Sequence, residues 1–234
     1  AEIAILLHDI GHGPFSHVLE YTLLNHVHHE EISNLIMEKL NKHFNGRLNL
    51  AISMFDDSYS RKFFHQLISS QLDVDRLDYL SRDSFYTGVR EGFIGSERLL
   101  SMLDLQDENL VMEEKGIYSI ENFLMARRLM YWQVYLHKTA IAGETMLIQI
   151  LRRAKDLIIQ GKKLTCSKAL MLFLKKEYTW EEFIADPNLL IAFTDLDDHD
   201  VWAAIKTWKD ADDKILSLLC THFLSRKLFT CKLG

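Results

Sequence analysis

Proline is the residue a helix interior tolerates least, because it lacks a backbone N–H and its ring collides with the preceding turn. Of 234 residues only Pro14 and Pro187 are proline. The stretch between them is open to helix almost throughout, and apolar residues three and four apart recur along it. The sequence therefore predicts an all-α fold. A helix over "AEIAILLHD" ends at Gly11, and a second starts near Pro14 to Ser16, carrying Val18, Leu19 and Leu23. A third runs from about His28 to Phe44 and stops at the turn pair Asn45-Gly46. Further helices are expected around Arg61 to Ser69, Asp73 to Phe85 and Ser96 to Leu103. From Ser119 to Gln160 the pattern is nearly unbroken, which predicts one long helix or two in tandem.

One segment changes period. In "LVMEEKGIYSI", Leu110, Val111 and Met112, a Lys-Gly turn, then Ile117, Tyr118 and Ile120 predict a short β-hairpin near 110–120. The last third reads as short amphipathic helices broken near Gly161, at Asp186-Pro187 and at the acidic run "DLDDHD". This organisation predicts a core over 1–160 and a helical C-terminal region, 161–234, packed on it. The longest apolar runs fall far short of the ~20 residues of a membrane helix, and no signal-peptide pattern opens the chain. Cys166, Cys220 and Cys231 form no CxxC pair, which suits a reducing cytoplasm. A formal charge of −6 argues against a general nucleic-acid binder, which needs a basic excess to displace counterions.

The chemistry concentrates in four stretches. In "LLHDIGHGPFSH", His8 and Asp9 sit at a helix end, where one nitrogen and one oxygen can converge on a divalent metal. The spacing H-D-x-x-H is similar to the H-E-x-x-H helix of zinc peptidases, but that motif needs an intact helix. Here Gly11 and Gly13 flank His12 and Pro14 follows. His12 is better placed in a loop, where an imidazole can donate to a substrate oxygen. The bland reading of all three is a set of hydrogen-bonded core or cap residues.

In "HVHHEEIS" (His26, His28, His29, Glu30, Glu31), a His-Glu pair at the head of a helix can supply a general acid and its orienting carboxylate. A solvated His-rich turn has the same composition. In "DVDRLDYLSRDSFYTGV", Asp75, Tyr79 and Asp83 stack at intervals of four with Arg76 beside them, a face suited to a metal, a sugar and a phosphate, or simply to solvent. In "ARRLMYWQVYLHK", Arg127, Tyr131, Tyr135 and Lys138 follow at three- or four-residue steps. Their rings and charges suit a nucleotide, and equally a helix interface.

Taken together and in this order, the four stretches resemble the HD-domain phosphohydrolases, specifically the deoxynucleoside triphosphate triphosphohydrolase branch, and look like a bacterial member of it; the resemblance covers about residues 1 to 140. It implies a helical fold with a divalent ion (Zn, Fe, Mn, Ni or Mg) held by His8, Asp9 and the distant Asp75. The family's remaining metal histidine lies in an Arg-x-x-His motif some tens of residues before the His-Asp pair, so its counterpart is expected upstream of Ala1. His12 matches a phosphate contact, His29 with Glu30 a pair for acid catalysis, and Asp9 a residue that orients the nucleophile. Arg76 and Lys138 match basic phosphate contacts, Tyr79 and Asp83 sugar contacts, and Arg127, Tyr131 and Tyr135 positions lining triphosphate and nucleoside, with Tyr135 crowding a 2′ hydroxyl. The implied reaction is hydrolysis of a dNTP to deoxynucleoside and tripolyphosphate in a homo-oligomer, a dimer or tetramer. The alternatives are another phosphate ester as substrate, or an inactive nucleotide-binding module.

Overall fold

The structure, a computed structural model, describes residues 1–231 apart from 17, 19–21, 23, 25 and 26. It is mainly helical, with one antiparallel hairpin. In chain order come α1 (Glu2–Leu7), α2 (His29–His43), α3 (Asn49–Phe55), α4 (Phe63–Ile68), α5 (Val74–Thr87) and α6 (Ser96–Ser101). Then follow β1 (Leu103–Gln106), β2 (Asn109–Met112), α7 (Ile117–Met130) and a π-helical turn, Tyr131–Tyr135. The remainder is α8 (Lys138–Ile159), α9 (Lys168–Lys175), α10 (Trp180–Ala185), α11 (Pro187–Thr194), α12 (Asp198–Trp208) and α13 (Lys214–Leu224). Among the described residues no helix is long and apolar enough to cross a membrane.

The expected hairpin exists but lies earlier than its Lys-Gly pair suggested. Leu110, Val111 and Met112 form the second strand, pairing back to Leu103–Gln106, with Leu105 opposite Leu110. The turn is Asp107-Glu108, both in the left-handed region at φ 52° and 62°. Lys115-Gly116 instead leads into α7, so Ile117, Tyr118 and Ile120 are helical. The helix expected from about Pro14 onward falls largely on residues outside the described ones, among them Leu19 and Leu23, as does His26.

The chain divides into two compact units, Ala1–Asp9 with Ser33–His137, and Ile10–Ile32 with Lys138–Gly234. In the first, Leu77 and Leu80 of α5, Leu99 of α6 and Phe123, Ala126 and Met130 of α7 are buried together. Their three- and four-residue spacing makes one apolar stripe per helix. A second cluster joins Ala4 of α1 to Ala51 and Met54 of α3 and Ile68 of α4, which seats α1. The hairpin is tied down by Gln66, whose side chain accepts from the Leu110 backbone at 2.7 Å and donates to Asn109 at 3.0 Å.

In the second unit, α8 buries Met146, Leu147, Ile150, Leu151, Ala154 and Leu157 along one face. Phe173, Phe183 and Phe193, from α9, α10 and α11, pack ring to ring with centroids 6.0–6.1 Å apart. Arg153 of α8 forms a two-pronged bond to Asp213, at 3.1 and 2.6 Å, while Asp213 caps α13 by accepting from the Leu216 N–H. That guanidinium holds the Asp213 carboxyl down at about 2. Lys155 is buried, and its ammonium bonds Glu177 at 2.6 Å and the Thr22 carbonyl at 3.1 Å.

The breaks foreseen in the last third become helix caps. Asp186 caps α11 with Pro187 at its first position. In the acidic run, Asp197 and Asp200 bond reciprocally across the start of α12 in a capping box.

Candidate metal centre

His8 follows α1 while keeping helical backbone angles. Its Nδ1 lies 2.6 Å from the Ile5 carbonyl oxygen. A carbonyl only accepts, so Nδ1 carries the hydrogen and the lone pair of the neutral ring sits on Nε2. Among the described residues that Nε2 is buried and makes no hydrogen bond. It faces Asp9 Oδ2 at 3.3 Å and Asp75 Oδ1 at 3.8 Å.

All three groups offer an atom within 4.8 Å of the others. Atoms sharing one ion at ~2.0–2.2 Å each lie roughly 3 to 4 Å from one another, so the spacing fits a common cation. Three electron-rich atoms with no donor between them are a poor arrangement for the bare protein and a good one for a divalent metal. Burial pushes the Asp75 carboxyl above its ordinary value; His8 opposes this, and Asp9, Asp73 and Asp78 add to it. Crowded carboxylates of this kind gain most from a positive ion.

The placement of Asp75 follows from the start of α5. Asp73 is the N-cap, nearly fully buried, accepting from the Ser70 N–H at 3.0 Å and the Arg76 N–H at 2.7 Å. The Arg76 Nε donates to the Ser70 carbonyl at 2.8 Å and lies 3.2 Å from Asp73. This clamp fixes the first turn of α5, from which Asp75 projects. Sequence reading began this helix at Asp73 but gave neither Asp73 nor Ser70 a part in the site, although an Asp at the head of a helix is a recognisable capping signal.

The same unit gathers the aromatic and basic residues. Tyr135 donates its hydroxyl to Asp83 Oδ2 at 2.7 Å. Its ring meets Tyr79 at 6.0 Å and Tyr131 at 5.2 Å, both edge to face. Arg127 lies over the Tyr131 ring at 5.8 Å and donates to Gln71 at 3.2 Å. Burial pushes the Tyr79 phenol above its ordinary value, and the neighbouring Arg76 opposes this. Gln71 was not foreseen, and its identity carries no signal that would have marked it.

The even stripe from Arg127 to Lys138 does not continue as one face. At the π-turn Leu136 donates to the Tyr131 carbonyl at 2.7 Å, five residues back, which widens the helix and turns Tyr135 toward Asp83. Lys138 opens α8 in the second unit.

His12 and His29 also belong to that unit, with rings stacked 13° from parallel at 3.9 Å. The loop after His12 is strained: Phe15 and Ser16 lie in the left-handed region at φ 54° and 50°. Asp198 holds it by accepting from the Phe15 N–H at 2.9 Å. Glu30 is exposed in the first turn of α2. Beside it, Glu31 accepts from the His28 N–H at 3.0 Å, so part of "HHEE" is helix capping.

Comparisons with known proteins identify the family. A family model for the HD domain matches residues 1–83, and one for the HD associated region matches residues 94–173. The Bacillus subtilis protein YwfO is 35% identical over 97% of the chain and 51% of its own length. The human deoxynucleoside triphosphate triphosphohydrolase SAMHD1 is 23% identical over 72% of the chain and 34% of its own length. The crystal structure of a phosphohydrolase, BT4208, from Bacteroides thetaiotaomicron superposes with a TM-score of 0.94 and 57% identity, over 99% of this chain and 59% of that one. The chain thus spans between half and three fifths of the first two similar proteins it matches over nearly its whole length. With a histidine and an aspartate paired at the end of α1 and Asp75 of α5 brought beside them, it belongs to the HD-domain phosphohydrolase superfamily.

Proposed function

We propose that this chain forms the catalytic core of a metal-dependent phosphohydrolase that cleaves deoxynucleoside triphosphates to deoxynucleoside and tripolyphosphate. The observation that carries the reading is the buried, lone-pair-bearing Nε2 of His8 facing the carboxylates of Asp9 and Asp75. A divalent ion held there supplies Lewis-acid polarisation of a phosphoryl oxygen and activation of water for attack. Asp9 is the more exposed carboxylate of the set, and accepts a hydrogen bond from the attacking water, aligning it. Arg76 and Arg127 neutralise phosphate charge, which reconciles an anionic substrate with an acidic protein.

Tyr79, Tyr131 and Tyr135 offer ring faces and edges to a nucleoside. The Tyr135–Asp83 bond fixes both groups; the family resemblance assigns Asp83 to a sugar contact and the anchored Tyr135 ring to the crowding of a 2′ substituent. The dNTP assignment is supported by relatives carrying that activity in their names. Acid catalysis by His29 with Glu30, phosphate contacts from His12 and Lys138, and homo-oligomer formation rest on the family resemblance alone.

Product analysis of the full-length protein tests the reading. Each dNTP is incubated with Mn²⁺, Fe²⁺, Ni²⁺, Zn²⁺ or Mg²⁺, and products are resolved by ion-exchange chromatography. Tripolyphosphate with deoxynucleoside supports it; orthophosphate from simple esters points to the broader phosphatase alternative. Loss of residues that merely orient ligands costs about 10–100-fold in affinity or activity. Asp75→Ala should therefore cut both metal content and turnover by more than about tenfold, and a variant that keeps both removes Asp75 from the site.

A further inference from the structure

The turn that follows His12 is built around a residue its backbone does not suit. The Ser16 N–H donates to the Gly13 carbonyl at 3.0 Å, closing a four-residue turn with Pro14 second and Phe15 third. Phe15 stands at φ 54°. A turn with proline second and a positive φ third ordinarily takes glycine or asparagine there, because other side chains strain the backbone. A phenylalanine keeps that shape only when its surroundings hold it.

What holds it is one turn of α12. Asp198 accepts from the Phe15 N–H at 2.9 Å, a contact between residues 183 apart in sequence. Four residues on, where a helix returns to the same side, Trp202 meets the Phe15 ring edge to face with centroids 5.9 Å apart. The Trp202 ring in turn lies 5.4 Å from Phe223 of α13, so the grip is backed by a second helix. Within the acidic run, Asp197 and Asp200 are engaged in the capping box, and Asp198 is the carboxylate that reaches the loop. Backbone and side chain of one strained residue are thus fixed by two neighbours on one helix face.

His12 sits between Gly11 and Gly13, the residues that leave a backbone most freedom. Its direction therefore depends on what fixes the chain beyond them and on the His29 ring stacked against it. We propose that Asp198 and Trp202 are positioning residues that act through Phe15 to hold the His12 imidazole where it meets substrate phosphate. Without them Phe15 relaxes toward negative φ, the chain is redirected at Gly13, and the imidazole turns away. The proposal rests on the reading of His12 as a phosphate contact and is independent of which nucleotide is cleaved. It gives the C-terminal helices a part in substrate binding.

Isothermal titration calorimetry of the full-length, Mn²⁺-loaded protein with the Mn²⁺ complex of tripolyphosphate reads phosphate binding without turnover and without a base. His12→Ala should weaken binding at least about tenfold, the loss of one charge-assisted hydrogen bond. Asp198→Ala and Trp202→Ala should each weaken it at least about fivefold in the parent, yet less than about twofold in the His12→Ala background, because they act only through that imidazole. Asp198→Asn keeps an accepting oxygen and should stay within about twofold of the parent. Hydrogen exchange of the 11–16 segment should quicken in Asp198→Ala, with exchange in α5 and the bound Mn²⁺ unchanged. Losses that persist in full without His12, no loss in either single variant, a loss in Asp198→Asn equal to that in Asp198→Ala, or an unaltered 11–16 segment would each overturn the proposal. No effect of His12→Ala would instead remove the phosphate reading of His12, and the proposal with it.

Discussion

His8 shows how one backbone contact sets the chemistry of a side chain. By giving its Nδ1 hydrogen to Ile5, it turns an acceptor nitrogen toward two carboxylates. Tyr135 is the other residue whose state is set by a single neighbour. Burial, the hydrogen bond to Asp83 and the charge of Asp83 all favour the neutral phenol and push Tyr135 well above the ordinary tyrosine value. Because the folded value is raised, this contribution to stability is fully present below about pH 10 and is lost only as pH climbs beyond it. Asp83→Ala removes the acceptor and the charge together, leaving burial and the smaller effects of Tyr79 and Tyr131. The Tyr135 transition, followed by ¹³Cζ NMR and assigned with Tyr135→Phe, should move down toward the ordinary value without reaching it. An unmoved transition would mean that Asp83 does not hold the hydroxyl.

Helix ends decide where α5 presents its groups, and they are the most legible features in this sequence. Asp73 caps the start, and Gly88 closes the end at φ 74° while donating to the Ser84 carbonyl at 3.0 Å. Nothing lies within 4 Å of where a Gly88 Cβ would stand, so the cost of a side chain there is purely one of backbone. Gly88→Ala should destabilise by about 1 kcal/mol, a fall of ~2–4 °C in melting temperature, and Gly88→Asn by less. Equal loss in both variants would point to a hidden steric clash instead. Some elements lacking such signals were missed. Helix α3 has Leu48 as its N-cap with no side-chain bond, so nothing announced it. The hairpin turn uses Asp107 and Glu108 at positive φ, where glycine or asparagine is the usual sign, and the nearby Lys-Gly pair drew the reading away. The π-turn was invisible because a 3.6-residue period assumes an unbroken helix.

Contacts distant in sequence are where the residues alone say least. Periodicity tells which side of α1 or α5 is apolar, but not that Ala4 and Ile68 share a cluster or that Asp75 returns to His8; only the resemblance implied the second. Closing such a loop costs entropy that the apolar contacts offset. A metal bridging both ends should then stabilise the folded chain directly, since the unfolded chain does not hold its ligands together. At a free-ion concentration of about 100 times the dissociation constant, the gain is about 2.7 kcal/mol. Mn²⁺ should raise the melting temperature of the parent, EDTA should reverse the rise, and Asp75→Ala should abolish it. Hydrogen exchange should locate the added protection at the end of α1 and the first turn of α5, because the proposed ligands lie there. A rise that survives in Asp75→Ala, or protection gained elsewhere in the chain, would mean that the ion binds at another place.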